Sequence, residues 1–231
     1  MTITAKAVNA TFTLRVLARL LSYPDAELRS QLPAMRDALR DERALSNNRL
    51  AEVDELMAAI SGTEPLDAEG TYVNLFDRGR ATSLHLFEHV HGDSRDRGPA
   101  MIDLALTYAK AGLYLAPDEL PDYLPAVLEF VSTQPPGEAR AFLSEMAHIF
   151  NAIFGALQQR QSAYASVIGA LMELAGEKAQ AVKIAPEEPL DESWNEPPVF
   201  GGCSSKGQAT PGQPQPIHII CKTKSVPGAA I

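Results

Sequence analysis

The chain has 231 residues, 45% of them hydrophobic and 21% charged, with a formal net charge of −9 at pH 7. This length and composition are typical of a globular protein with a substantial core, and no apolar run approaches the ~20 residues of a membrane span. An acidic chain lacks the basic face that non-specific nucleic-acid binding requires, so we expect a neutral or basic protein partner. The first residues show no separate apolar segment with a small-residue cleavage site. We therefore expect a cytoplasmic protein without a signal peptide.

Four amphipathic helices are predicted in the first third of the chain. Residues 11–21 place their apolar side chains on one face, and a second helix follows with Pro24 at its first position. Pro33 lies within the second apolar repeat, so that helix either begins after Pro33 or bends there. Ser46 is expected to cap a third helix, and Pro65 to begin a fourth.

Helical periodicity continues through the next hundred residues. Further helices are predicted at residues 83–91, 101–111, 124–131, 138–159 and 162–175. Neither strand-like alternation nor a repeat period is present in this part of the sequence. The sequence therefore predicts an all-α, single-domain helical bundle of about eight to nine helices over residues 1–183.

The composition changes at about residue 184. Residues 184–231 contain eight of the 17 prolines of the chain, together with glycine, serine and glutamine. Such segments cannot bury enough apolar surface to fold, so we predict a flexible, mostly disordered C-terminal tail with a small apolar group around Trp194 and Phe200. Both cysteines, Cys203 and Cys221, fall in this tail and provide no disulfide framework.

An unusual charged stretch lies between residues 72 and 101. Its charged side chains are four arginines and four carboxylates: Arg78, Arg80, Arg95, Arg97, Asp77, Glu88, Asp93 and Asp96. They cluster at two places, as DRGR and DSRDRG, rather than at the i,i+4 spacing of a solvated helix face. A glycine beside paired charges is typical of a turn that aims side chains. We therefore interpret this stretch as a functional site built around a short helix.

Three histidines in the same stretch permit another interpretation, a metal-dependent hydrolase. His85 and His89 are four residues apart, as helical zinc ligands often are, with Glu88 and His91 beside them. The hydrolytic zinc pattern, however, places glutamate directly after the first histidine, where this chain has Leu86. A phosphate-binding loop and a nucleophile elbow are both missing from the sequence. We therefore expect neither catalysis, nor a metal, nor a bound cofactor, and a regulator that binds a small ligand is a third alternative.

The charged pairs also permit two interpretations, which spacing alone does not separate. Asp77 with Arg80, and Asp93 with Arg97, could be ion pairs that only fix the loops. Alternatively, a ring of ionic groups beside an apolar floor could grip a short amphipathic helix. That floor would consist of Leu75, Phe76 and Phe87. The same two interpretations apply to the acidic residues of the later segment ELPDYLPAVLEF: Glu119, Asp122 and Glu129.

Several strings resemble a known family. The string LFDRGRATSLHLFEHVHGDSRDRGPAM, followed by ELPDYLPAVLEF, is similar to the NarJ-type nitrate reductase molybdenum cofactor assembly chaperones. These belong to the wider TorD-like group of redox enzyme maturation chaperones. The strings LLSYPDAEL and LQQRQSAYASVIGAL also fit, so the resemblance covers most of residues 12–174. In the tail it extends only to DESWNEPPVFG.

The resemblance implies a chaperone that performs no chemistry and holds no cofactor of its own. Members of the family bind the N-terminal segment of the nitrate reductase catalytic (alpha) subunit, assist insertion of the molybdenum cofactor, and delay docking at the membrane anchor subunit. Cofactor-delivery proteins are further candidate partners. The peptide-binding positions that the resemblance implies are Tyr72, Leu75, Phe76, Asp77, Arg78, Arg80, Glu88, His89, His91, Arg95, Arg97, Glu119, Pro121, Asp122, Pro125 and Glu129. Tyr123 stands where relatives often carry histidine.

These positions suggest a mechanism for peptide binding. We expect the acidic side chains to attract a basic client segment and speed its encounter with the chaperone. Leu75, Phe76 and Phe87 would then bury the apolar face of that segment.

Overall fold

The computed structural model describes residues 8–90, 95–117 and 119–178. These residues form ten α-helices: α1 (Thr11–Leu20), α2 (Ala26–Glu42), α3 (Asn47–Gly62), α4 (Pro65–Tyr72), α5 (Leu86–Val90), α6 (Arg97–Lys110), α7 (Leu124–Ser132), α8 (Pro136–Glu145), α9 (Ala147–Gln159) and α10 (Ala165–Ala175). A π-helical turn, Val73–Asp77, continues α4, and a 3-10 turn, Arg80–Thr82, follows it. Strand pairing within the described ranges is limited to one isolated bridge, between His85 and Tyr123. The predicted all-α fold is confirmed.

Side-chain caps hold the starts of the first three helices. Asp25 accepts a hydrogen bond from the backbone N–H three residues later at 2.7 Å, and Ser46 does the same at 3.4 Å. The N-terminus of α1 is capped from α2 instead, because the Glu42 carboxylate accepts hydrogen bonds from the N–H groups of Phe12 (3.1 Å) and Thr13 (2.6 Å). A carboxylate at this place also complements the positive end of the helix dipole. The Glu42 carboxylate thus connects the end of α2 to the start of α1 through hydrogen bonds, in addition to their apolar packing.

The core lies between α1, α7, α9 and α10. Helix α1 packs against α7 and α2, while α10 packs against α9, α8 and α3. The core side chains with no exposed surface include Leu17, Leu20, Leu21, Leu124, Val127, Leu128, Val131, Phe150, Ile153, Leu157, Val167, Ile168 and Leu171. Full burial of one such side chain is worth about 1.5–3 kcal/mol. Apolar burial therefore makes a large contribution to the stability of this part of the molecule.

Several helix boundaries differ from the sequence prediction; for example, α5, α6 and α10 begin at residues 86, 97 and 165 rather than at 83, 101 and 162. The single helix predicted at residues 138–159 is divided into α8 and α9 at Met146, whose φ of −89° and ψ of −1° leave the α-helical path. The break contains neither glycine nor proline, and apolar residues continue on both sides, so the periodicity does not show it. This division makes ten helices from a predicted eight to nine. Helix α2 begins at Ala26 rather than at Pro24, and it runs through Pro33.

Some predictions fall outside the described residues. These are the predicted domain boundary at residues 183–184, the C-terminal tail of residues 184–231, and both cysteines. They stay predictions. In the described ranges, no helix is long and apolar enough to cross a membrane.

Candidate functional site

The site is organised around the side chain of Asp122, which has no exposed surface. Its Oδ2 accepts a hydrogen bond from the backbone N–H of Phe87 at 3.2 Å, and its Oδ1 lies 3.3 Å from His85 Nδ1. The guanidinium Nη2 of Arg97 lies 3.6 Å from Oδ2 and 3.8 Å from Glu88 Oε1. A buried carboxylate requires such partners, because burying an unpaired charge is costly. Asp122 therefore joins three segments of the chain: the start of α5, the start of α6 and the residues before α7.

Backbone hydrogen bonds reinforce this junction. The N–H of Leu86 donates to the carbonyl of Asp122 at 3.0 Å, and the N–H of Leu124 donates to the carbonyl of Leu84 at 2.8 Å. The two bonds form the bridge between His85 and Tyr123, whose rings lie 5.4 Å apart. The two motifs that the sequence analysis singled out, about 35 residues apart in the chain, are thus held side by side. We call this arrangement of Asp122, His85, Arg97 and the two backbone bonds the Asp122 junction.

The charge state of His85 is linked to the junction. The hydrogen bond to Asp122 raises the pKa of His85 above its ordinary value, and the charges of Asp122 and Glu88 add to this effect. Burial of the ring and the charge of Arg97 oppose it. The net effect is a raised pKa of His85. The His85 side chain therefore keeps its proton, and its ion pair with Asp122, to a higher pH than the side chain of an isolated histidine keeps its proton.

A tyrosine network connects the junction to the end of α1. The Tyr72 hydroxyl donates to the carbonyl of Leu21 at 2.7 Å and lies 3.2 Å from the hydroxyl of Tyr123. Burial raises the pKa of both Tyr72 and Tyr123. Tyr23 packs edge-on against Tyr72, with ring centroids 5.7 Å apart, and its hydroxyl donates to Glu69 at 2.9 Å. Tyr23, in the string SYPD between α1 and α2, therefore packs beside the site.

The predicted apolar floor is not a surface groove in this structure. Leu75 and Phe76 are 8% and 6% exposed, and both belong to the hydrophobic core. The Phe76 ring lies 4.9 Å from Tyr72 and 5.1 Å from Tyr164, centroid to centroid. Leu75 and Phe76 therefore pack in the core beneath the site and do not form part of its surface. Phe87, which is partly exposed, is the one member of the predicted floor that a partner could contact directly.

The DRGR string requires its glycine for a close approach. A Cβ at Gly79 would overlap the Thr82 hydroxyl and the Leu75 carbonyl, and it would lie 2.8 Å from Arg160 Nη1. The Thr82 hydroxyl itself donates to the Leu75 carbonyl. Because the φ of Gly79 is −96°, the constraint is steric and does not come from the left-handed region. The turn leaves Asp77, Arg78 and Arg80 exposed while Gly79 is buried beneath them.

The other predicted site residues are either exposed at the surface or partly or fully buried. Arg95 and Glu129 are exposed, while Glu88, His89 and Glu119 are partly buried. Partial desolvation and the charge of Glu119 raise the pKa of Glu129. Two more are prolines with structural contacts: the Pro121 carbonyl accepts a hydrogen bond from the Tyr108 hydroxyl at 2.8 Å, and Pro125 lies in the first turn of α7. His91 and Asp93 lie outside the described residues.

Sequence reasoning missed several residues that build the site. His85 was considered only as a metal ligand, whereas the structure pairs it with Asp122. Ser83 accepts the backbone N–H of His85 at 3.2 Å through its hydroxyl, and its carbonyl lies 2.9 Å from His89 Nε2. Tyr108 and Arg160 carry no local signal, because their contacts come from the tertiary fold.

The histidine contacts do not support the hydrolase alternative. His85 and His89 are directed to different partners, the Asp122 carboxylate and the Ser83 carbonyl. Among residues 8–90, 95–117 and 119–178, no group of three or more His, Cys, Asp or Glu side chains could hold a metal ion. The printed contacts of both histidines are therefore structural, within the protein.

Comparison with known proteins identifies the family. The sequence profile of the family described as "Nitrate reductase delta subunit" matches residues 24–168, which include the whole Asp122 junction. The chain belongs to the nitrate reductase delta subunit family. The resemblance inferred from the motif strings is thereby confirmed.

Relatives within the nitrate reductase delta subunit family cover most of the chain. The nitrate reductase molybdenum cofactor assembly chaperone NarJ of Escherichia coli K12 is 42% identical over 183 residues, which are 79% of this chain and 77% of NarJ. Escherichia coli NarW, to which the same role is ascribed, is 35% identical over 196 residues, covering 80% and 82% of the two chains. A proposed redox enzyme maturation protein from Archaeoglobus fulgidus shares the fold, with a TM-score of 0.51 and 18% identity over 77% of this chain and all of that one.

Proposed function

We propose that this protein is a nitrate reductase molybdenum cofactor assembly chaperone. The observation that carries the proposal is the family match over residues 24–168, together with 42% identity to NarJ. In this proposal the protein acts in the cytoplasm, performs no chemistry and holds no cofactor of its own. It binds the N-terminal segment of the catalytic subunit, assists insertion of the molybdenum cofactor, and delays membrane docking of its client. Cofactor-delivery proteins are further candidate partners.

In this proposal the motif residues have different roles, according to their exposure. Exposed acidic side chains, Asp77 and Glu129 with the partly buried Glu119, would attract a basic client segment and raise its encounter rate. The partly exposed Phe87 would contact the apolar face of that segment. The buried Asp122 would act indirectly, because it fixes the start of α5 through the Phe87 N–H. Tyr72, Leu75 and Phe76 would hold this surface in place from the core.

Calorimetric titration with a synthetic peptide from the N-terminus of the nitrate reductase catalytic subunit tests the proposal. We expect saturable binding that weakens at high salt, because opposite charges are screened. The double variant Asp77→Asn/Glu119→Gln and the variant Phe87→Ala should each weaken binding. Asp37→Asn/Asp41→Asn is the matched control for the double variant, since it removes two exposed acidic charges from α2 outside both motifs. Absence of binding by the folded protein, or equal weakening by the control, would refute the proposed recognition site.

A further inference from the structure

Helix α6 (Arg97–Lys110) is held to the protein along one face. The Tyr108 side chain on this face is 2% exposed, its hydroxyl donates to the Pro121 carbonyl at 2.8 Å, and its ring lies 4.8 Å from that of Phe130. Arg97 reaches the Asp122 junction from the same side. These contacts define the inward face of the helix.

The outward face of α6 is also apolar. Ile102 and Leu106, one helical turn apart, are 63% and 52% exposed. At 100° per residue, Gly98 and Ala109 lie within about 40° of Ile102 around the helix axis. An ordinary surface helix is polar on the side opposite its core face. An apolar outward face next to a charged flank is typical of an interaction surface.

The flank of this face carries one charge of each sign. Asp103 and Lys110 are both exposed and lie two turns apart on the same side of the helix. Seven residues correspond to about 10 Å along the axis, too far for an ion pair between them. Neither side chain forms an ion pair within the part of the chain that the structure describes. Both charges are therefore available to a partner.

This pattern is complementary to itself. Consider two α6 helices packed antiparallel, related by a twofold axis that passes beside residues 106–107 and lies perpendicular to both helices. Asp103 of each copy is then opposite Lys110 of the other, on the same flank of the pair. Ile102 and Leu106 of both copies are in contact between the two helices, and the small side chain of Ala109 permits close approach. A twofold interface requires this kind of self-complementary patch.

We propose that α6 is a self-association surface that pairs antiparallel with α6 of a second copy of this chain. A 14-residue helix is only about 21 Å long, so the contact buries less than the ~800 Å² per partner of a typical stable complex. The dimer is therefore concentration-dependent. Its formation covers the apolar outward face and leaves the inward contacts of Tyr108 and Arg97 unchanged.

Sedimentation velocity of the full chain, from about 1 to 500 µM, tests this pairing. The expected result is a reversible monomer–dimer equilibrium. Asp103→Lys and Lys110→Asp should each lower the association constant roughly tenfold, because each places like charges opposite one another. The double variant Asp103→Lys/Lys110→Asp should restore it, because the swapped charges pair again. Asp37→Lys on α2 makes the same charge change away from α6 and should leave the equilibrium unaltered.

Three outcomes would overturn the pairing. The first is a protein that stays monomeric throughout the concentration range. The second is a dimer that Leu106→Glu does not weaken, or whose charge-reversed singles are not rescued by the double variant. The third is a Leu106→Glu variant with unchanged self-association but weaker titration by the nitrate reductase peptide. That last result would assign the face to the client and leave the proposed chaperone function intact.

Discussion

The bundle core and the Asp122 junction are held together by different forces. Around α1, α7, α9 and α10, the buried side chains are almost all aliphatic or aromatic, and each contributes through apolar burial. The junction instead brings α5 and α6 to the residues before α7. It consists of one buried carboxylate with its histidine, arginine and Phe87 N–H partners, and of two backbone hydrogen bonds. Substitutions that remove side-chain volume should therefore destabilise the core most. The stability of the junction should depend instead on its charged side chains and on pH. A surface held by few polar contacts can adjust to a client while the bundle beneath stays intact.

The largest effect is expected from a cavity in the core. Phe150→Ala removes a side chain with no exposed surface and should lower the free energy of unfolding by about 3–5 kcal/mol. Urea denaturation followed by circular dichroism measures the change. Phe12→Ala is the control, because Phe12 is 58% exposed and its loss should change stability by less than ~0.5 kcal/mol. Similar losses of unfolding free energy in both variants would show that Phe150 does not contribute to the core in the way described.

Removal of the central carboxylate should have the next largest effect. Asp122→Ala leaves the Phe87 N–H, His85 and Arg97 without their shared partner. Because His85 and Arg97 are partly exposed and can be rehydrated, we expect a loss of about 2–3 kcal/mol in the same denaturation assay. Asp122→Asn, which keeps an acceptor for the N–H, should cost less. An Asp122→Ala protein as stable as Asp37→Ala would mean that the carboxylate does not hold the junction.

The glycine of the DRGR string gives a steric prediction. Gly79→Ala forces a Cβ against the Thr82 hydroxyl and the Leu75 carbonyl, and we expect a loss of about 1–3 kcal/mol. Gly70→Ala is the matched control, because a Cβ there meets no atom within 4 Å and Gly70 lies inside α4. The control should be neutral or slightly stabilising, since alanine favours helix. Thermal unfolding of the two variants measures the difference in their stability. Equal destabilisation by Gly79→Ala and Gly70→Ala would contradict the steric explanation.

The smallest expected effect concerns pH. The pKa of His85 is raised in the folded protein, so its pairing with Asp122 stabilises fully below the unfolded value of about 6.5 and is lost as pH rises through the folded value. The stability difference between the wild type and His85→Gln should therefore be largest in mildly acidic buffer and decrease towards alkaline pH. Urea denaturation at a series of pH values measures this difference. A difference that grows with pH would contradict the assigned pairing.

The sequence predicted the helices of the core better than the details of the junction. Helical periodicity and capping residues such as Ser46 and Pro65 indicate where α3 and α4 begin, because these signals are local. The break at Met146 and the π-helical turn Val73–Asp77 have no local signal, and packing decides them. The pairing of His85 with Asp122 spans 37 residues, so spacing could not reveal it.

The motif strings predicted a set of site residues but not which of them face outwards. Phe76 and Phe87 were predicted to line the same apolar floor, yet Phe76 is 6% exposed and packs in the core while Phe87 is partly exposed. The difference arises because the π-helical turn directs Phe76 towards Tyr72 and Tyr164. Exposure of this kind depends on neighbours that are distant in sequence.

The molybdenum content of a nitrate reductase catalytic subunit tests the central claim most directly. The subunit would be purified from cells that lack their own chaperone and express this protein, its Asp122→Asn variant, or neither. The proposed function predicts a subunit loaded with molybdenum when this protein is present, and little or none when it is absent. The Asp122→Asn variant should lie between these values. Equal molybdenum content with and without this protein would contradict its role as an assembly chaperone.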